Sequence, residues 1–257
     1  MRLAGLVVAR TLERVVEAVR PGVTTGELDR IAEASIRGEG AVPSFLGYRG
    51  FTGSICASAG PEVVHGVPGP RVVRDGELLS IDCGAILDGW HGDAAVTVPV
   101  GDVDPAALEL SAVTRRALWA GLAAVQPGGR LSDVSYAVEQ VVDGHGYGAI
   151  TEFGGHGIGT SMHELPHLHN QAPKGPGHGM ALEPGIVLAV EPMAVLGSPD
   201  VVELDDGWTV VTVDGSQAAH WEHTVAVTPD GPWVLTALDG GAAELGTARR
   251  EEPVRTC

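Results

Sequence analysis

Four of the ten histidines, His156, His163, His167 and His169, fall within residues 152–169, EFGGHGIGTSMHELPHLH, and glycines at 154, 155, 157 and 159 flank the first of them. Glycine permits φ > 0 and close approach of the backbone to a ligand, so a ligand-binding turn around His156 is expected. Two acids sit in runs that read as buried strands, Asp82 in LLSIDCGAI and Glu191 in IVLAVEPM. An ionised carboxylate in such a place costs several kcal/mol unless a cation or hydrogen bonds compensate it. Counter-cations are scarce: the only lysine is Lys174, and the arginines lie mostly on predicted helix faces or in the C-terminal tail. A bound metal is the better explanation, with Asp82, Asp93, His156, Glu191 and Glu222 as the candidate ligands. Four carboxylates and one imidazole without sulfur suit Mn²⁺, Fe²⁺, Co²⁺ or Zn²⁺ better than a structural zinc site. Four negative charges exceed what one divalent ion balances. Two ions about 3.5–4 Å apart would balance them, lower the pKa of a bridging water and polarise a carbonyl, which is hydrolytic chemistry.

The elements that must position these residues follow from periodicity. Leu3, Leu6, Val7, Val15 and Val19 recur at helical spacing and stop at Pro21-Gly22. Thr25 is expected to cap a second helix bearing Leu28, Ile31 and Ile36, ended by Gly38 and Gly40. Residues 44–60 suggest a strand with turns, and 77–86 and 92–98 read as strands joined at Asp88-Gly89. Asp104-Pro105 opens a long helix that ends near Pro127-Gly128, and a further helix through Val134, Val138, Val141 and Val142 stops at Gly144. Loops at 170–180 and 197–207, and a polar, weakly ordered tail beyond Asp239, complete the reading.

That order occurs twice. VRPGVTTGEL (19–28) matches VQPGGRLSDV (125–134) at an offset of 106, and HGVP (65–68) matches HELP (163–166) at an offset of 98. GELLSID (76–82) lies over GIVLAVE (185–191), which sets Asp82 over Glu191, while GDAAVTV and WEHTVAV set Asp93 over Glu222. An internal duplication is expected, one domain of 257 residues with halves at roughly 1–103 and 104–240.

Acidic residues outnumber basic ones 33 to 16, a formal charge of −17 that argues against nucleic acid or an anionic membrane as the main partner. The three cysteines, Cys56, Cys83 and Cys257, are far apart and form no CxxC pair, which fits a reducing compartment. The apolar start is broken by Arg10, Glu13 and Arg14, and no long apolar run follows. A signal peptide or membrane span is therefore not expected, and the protein reads as cytoplasmic.

Taken in order, VVHGVP, SIDCGAILDGWHGDAAVT, GGHGIG, MHELP, AVEPM and HWEHTVAVT resemble the successive motifs of type I methionine aminopeptidases, most closely the actinobacterial form, over residues 3–236. The resemblance implies an α+β pita-bread fold, two pseudo-symmetric halves with a dinuclear site between them. It implies that Asp82 chelates one ion, that His156 and Glu191 bind the other, and that Asp93 and Glu222 bridge both. Glu191 would also be the general base, His163 would stabilise the tetrahedral intermediate, and His65 would contact the scissile amide and help protonate the leaving amine. Tyr48, Phe51, Cys56, Met162 and Trp208 fall on the positions that line the family's methionine pocket. The implied substrate is the N-terminus of a peptide or nascent chain with a small second residue, met by a monomer in transient contact with the ribosome.

The sequence departs from the family's pattern in places. Gly60-Pro61 replaces an Asn-Glu that serves an auxiliary monovalent-cation loop, and Leu165 replaces an acid beside His163. Neither the dozen residues usual before the first helix nor a zinc-finger extension is present. His91 and His223 are read as hydrogen-bonded fillers beside the ligands, His167, His169 and His178 as loop residues, and Trp119 as packing. Two other readings compete: a proline-directed peptidase of the same fold, which usually carries a further N-terminal domain, and a non-catalytic binding protein, which would be expected to have lost a ligand.

Overall fold

The structure is a computed structural model that describes residues 1–247; Cys257 and most of the expected tail lie outside the described residues. The N-terminal unit comprises α1 (Arg2–Ala18), α2 (Thr25–Gly38), β1 (Val42–Pro43), β2 (Ile55–Ala59), β3 (Glu62–Val64), β4 (Leu78–Leu87) and β5 (Trp90–Pro99). The C-terminal unit comprises α3 (Pro105–Ala124), α4 (Leu131–Gly144), β6 (Gly148–Ala149), β7 (Gly155–Gly157), β8 (Glu164–Leu168), β9 (Val187–Val190), β10 (Met193–Val195), β11 (Val201–Glu203), β12 (Val210–Thr212), β13 (Ala218–His220), β14 (His223–Thr228), β15 (Gly231–Val234) and α5 (Ala242–Leu245). Residues 242–245, expected within a weakly ordered tail, therefore form a helical turn, and Arg115 of α3 is bonded to Glu244 there.

Each unit lays two helices on an antiparallel sheet. In the first, β5, β4 and β2 are successive neighbours, with β1 also on β4; in the second the order is β15-β14-β9-β7-β8. The apolar stripes of α1 and α2 bury Val7, Val8, Leu12, Leu28 and Ile36 against Leu79, Ile81 and Cys83 of β4. The second core buries Leu110, Leu118, Leu122, Val134 and Val138 of α3 and α4 against Leu188, Val190 and Val225. Each such side chain stabilises the fold by about 1.5–3 kcal/mol relative to exposure, so the two helix–sheet units supply separate cores. Two small sheets, β13-β10-β6 and β11-β12-β3, complete the molecule.

The segments that match in sequence make the same contacts. Isolated bridges pair Thr24 with Val72 and Arg130 with Ala181. The backbone N–H of Thr24 donates to Glu27 at 2.8 Å, and that of Arg130 donates to Asp133 at 2.7 Å. Glu27 N–H also donates to the Thr24 hydroxyl, closing a reciprocal cap. The cap of α2 is thus Thr24 and not Thr25, because only Thr24 has extended backbone with a glutamate three residues on. Asp104 caps α3 as expected, accepting from Ala106 N–H at 2.8 Å with Pro105 in the first turn. Along their inner edges the two sheets are joined. Asp93 N–H donates to the Thr224 hydroxyl (3.0 Å), which donates to Asp93 O (2.7 Å), and Ala95 and Glu222 exchange backbone hydrogen bonds of 3.2 and 2.9 Å.

Candidate metal centre

Strand alternation sets the acids on the side away from the helices. Ile81, Cys83 and Ala85 of β4 enter the first core, so Asp82 points to the opposite face. Asp93 of β5 is registered with Gly84, which puts it on the face of Asp82 and diagonal to it. On the other sheet, His156 of β7 is opposite Ala189 of β9, and the β9–β14 ladder ends at Val190–His223. One step beyond that pair come Glu191 and Glu222. The seam between the sheets then brings both strand pairs to one point. A donor atom from each of Asp93, His156 and Glu222, and one from each of Glu191, His220 and Glu222, lie within 4.8 Å of one another.

The centre is buried and poor in counter-charge. Asp93 is 3% and Glu222 1% exposed, and Asp82 Oδ1, Asp93 Oδ1 and Glu222 Oε1 have no hydrogen-bond partner. Among the described residues no lysine or arginine pairs with any of the four acids. Burial raises the Asp82 carboxyl to about 7. Burial, and then the neighbouring carboxylates, push Asp93, Glu191 and Glu222 well above the usual range. Burial acts on imidazole in the opposite sense and lowers His156 to about 4. His156 Nδ1 lies 2.9 Å from Gly157 O, and a carbonyl only accepts, so Nδ1 carries the proton. The unprotonated Nε2 faces Glu191 Oε1 at 3.6 Å and Asp93 Oδ2 at 3.9 Å. Partnerless buried carboxylate oxygens around a neutral imidazole lone pair are the donor set a divalent cation takes.

The twelve residues expected to form the site line a single cavity of about 300 Å³. Phe51, Cys56 and Met162 are buried in a small apolar cluster with Phe45 and Ile158, and Tyr48 and Trp208 pack on it. Phe51 and Trp208 meet edge to face at 5.0 Å. The Cys56 thiol is pushed up by burial and by Asp82, so it stays neutral. His163 lies beside His156 with ring centroids 4.3 Å apart and planes tilted by 47°, and its Nδ1 is 2.8 Å from the Tyr48 hydroxyl. His65 lies against Phe153 and Trp208, has φ 61, and is lowered to about 4 by burial and by His163.

Some expectations change. Gly154, Gly155, Gly157 and Gly159 do not have φ > 0. They are needed for strand approach, not for a turn: a Cβ on Gly155 would lie 2.2 Å from Ala189 O, and one on Gly157 2.3 Å from Leu165 O. His167 is in strand β8, opposite His156, and lines the cavity instead of lying in a loop. His91 and His223 are hydrogen-bonded fillers, to Ser44 at 3.0 Å and Thr236 at 2.8 Å. Phe45, Arg49 and Val64 also line the cavity. His220, not among the expected ligands, is 1% exposed, has no partner for Nε2 and faces Glu191 and Glu222. Its spacing from Glu222 in HWEH, two residues along an extended chain, is the signal that could have found it.

The description "Metallopeptidase family M24" matches residues 1–229. Methionine aminopeptidase 1 of Mycobacterium tuberculosis is 52% identical over 92% of this chain and 91% of its own. Methionine aminopeptidase 1 of Bacillus subtilis is 48% identical over 93% and 95%. Among solved structures, methionine aminopeptidase from Rickettsia prowazekii superposes with a TM-score of 0.89 at 38% identity, covering 92% of this chain and 95% of that one. Prolidase from Pyrococcus furiosus shares the fold alone, at 21% identity, a TM-score of 0.74 and coverage of 92% and 62%. The two solved structures share the pita-bread arrangement of two helix–sheet units. By its family match and these relatives, the chain belongs to metallopeptidase family M24, on its methionine aminopeptidase branch.

Proposed function

We propose that this chain removes the N-terminal methionine from peptides and nascent proteins whose second residue is small. The observation that carries the reading is the cavity of about 300 Å³ in which four buried, uncompensated carboxylates adjoin a wall of thioether, thiol and aromatic faces. Two divalent ions, Co, Mn, Fe or Zn, would be held by Asp82, Asp93, His156, Glu191 and Glu222. When bound, they supply Lewis acidity that activates water and polarises the scissile carbonyl.

The chain's own groups do the rest. Glu191 is the most open of the four acids and takes the proton of the attacking water. His163, oriented by Tyr48, donates to the oxyanion of the tetrahedral intermediate. His65 contacts the scissile amide and passes a proton toward the leaving amine. Tyr48, Phe51, Cys56, Met162 and Trp208 take the methionine side chain, through sulfur–aromatic contacts worth about 0.3–1.5 kcal/mol each. A charged first residue is excluded because its charge would be stranded among apolar walls. The enzyme acts as a cytoplasmic monomer on chains leaving the ribosome, and among the described residues no helix is long and apolar enough to cross a membrane.

The test is a panel of Met-Ala-Ser, Met-Lys-Ser, Leu-Ala-Ser and Ala-Pro-Ser, given to apo-protein reloaded with single metals. Met-Ala-Ser is expected to be cleaved best and only with metal. Preferred cleavage of Ala-Pro-Ser would replace this reading with a proline-directed peptidase, and metal binding without any hydrolysis would leave a non-catalytic binding protein.

A further inference from the structure

His220, at the end of β13, is held on the same seam as the four acids. Its backbone N–H lies 2.9 Å from the Thr97 hydroxyl and 3.2 Å from that of Ser80, while Thr97 donates to His220 O at 2.6 Å. Ser80 and Thr97 stand on β4 and β5, on the faces that carry Asp82 and Asp93, and pair with each other in register. The backbone that carries the imidazole is therefore fixed by the strands that carry the acids. Its Nε2 has no hydrogen-bond partner although the side chain is 2% exposed. That nitrogen lies 3.8 Å from Glu191 Oε2 and 3.9 Å from Glu222 Oε2. Both separations are too long for a hydrogen bond. They match two donors on one ion, since donors about 2.0–2.2 Å from a shared metal lie up to about 4.2 Å apart. His156 Nε2 has the same relation to the other oxygen of Glu191, at 3.6 Å.

We propose that His220 is a further ligand of the ion held by Glu191 and Glu222, so that this centre carries two imidazoles, His156 and His220, in place of one. Imidazole donors favour zinc, iron and cobalt, whereas an all-oxygen set favours manganese and magnesium. The second nitrogen therefore shifts metal choice away from Mn²⁺. The inference rests on the metal centre proposed above and adds a ligand to it.

X-ray absorption on metal-free protein saturated with Zn²⁺, with bound zinc measured in the same sample, counts imidazoles per chain. Two are expected in the wild type and one in His220→Gln, with zinc bound at least about tenfold more weakly, since even a supporting partner's loss costs that much. The preference for Co²⁺ over Mn²⁺ in competition should fall in parallel. A count of one in the wild type, or an unchanged count and affinity in His220→Gln, overturns the inference and leaves the metal centre standing. Failure of the wild type to bind zinc at all overturns the metal centre itself. Should His220→Gln not fold, judged by its metal-free melt, His156→Gln decides instead: one imidazole remains if His220 is a ligand and none if it is not.

Discussion

Glu191 is the least buried of the four acids that line the cavity, its side chain 12% exposed against 4% for Asp93 and 2% for Glu222. That position suits a group that exchanges protons with water. Glu191→Gln keeps a weak donor oxygen but cannot accept a proton, so kcat on Met-Ala-Ser should fall by at least the ~10²-fold typical of lost general-base catalysis. An undiminished kcat would remove Glu191 from that role. His163 is hydrogen-bonded to Tyr48 and stands beside His156. His163→Ala should lower kcat and leave metal content unchanged. Loss of metal from that variant would instead make His163 a ligand.

At the scale of elements, the seam depends on backbones that touch. Helix α1 crosses the end of the C-terminal unit, where Arg2 donates to the carbonyls of Leu235 and Leu238 at 2.7 and 3.0 Å. A Cβ on Gly5 would sit 2.2 Å from Leu235 O, and one on Gly92 2.8 Å from Gly5 N. Three segments, α1, β5 and the stretch after β15, thus meet where no side chain fits. Gly5→Ala should cost about 1–3 kcal/mol by overpacking. At about 2–4 °C per kcal/mol for a chain of this size, that lowers the melting temperature by several degrees. A melt identical to the wild type would show that α1 can move away freely.

For the whole molecule, the buried centre couples stability to pH and metal. The acids have raised pKa values, so the folded chain holds more protons than the unfolded one above the ordinary carboxylate range, and stability falls as pH rises. The buried histidines His65, His156, His220 and His223 are lowered to about 3–4, so below about pH 6.5 they act in the opposite sense. Above that pH they are neutral in both states and only the acids remain. Metal-free protein should therefore melt lower as pH rises from about 6.5 to 8. A divalent ion should raise the melting temperature and abolish that slope, since it binds the deprotonated native site. A metal-free melting temperature that climbs across this range would contradict the burial of uncompensated carboxylates.

The sequence by itself determined the main helices and strands and singled out the buried acids. Asp82 and Glu191 stand out as charges inside apolar strand runs, and the repeat of VRPGVTTGEL in VQPGGRLSDV returns as the paired bridges of Thr24 with Val72 and Arg130 with Ala181. Local patterns of this kind survive folding because caps, turns and alternation depend on neighbours in the chain. The pocket residues were legible only through resemblance, since nothing in the spacing of Cys56, Met162 and Trp208 brings them together. What only the tertiary structure decided lies between the two units. The glycines around His156 read as a ligand-binding turn, yet the approach of β9 and β8 is what excludes their side chains. His167 read as a loop residue, yet pairing with β7 makes β8 a strand. The spacing of His220 from Glu222 is a local signal, but its burial beside two acids is not, because Ser80 and Thr97, more than a hundred residues away, hold it there. Contacts so remote in sequence leave no periodicity, and only the seam between the two sheets brings them into one place.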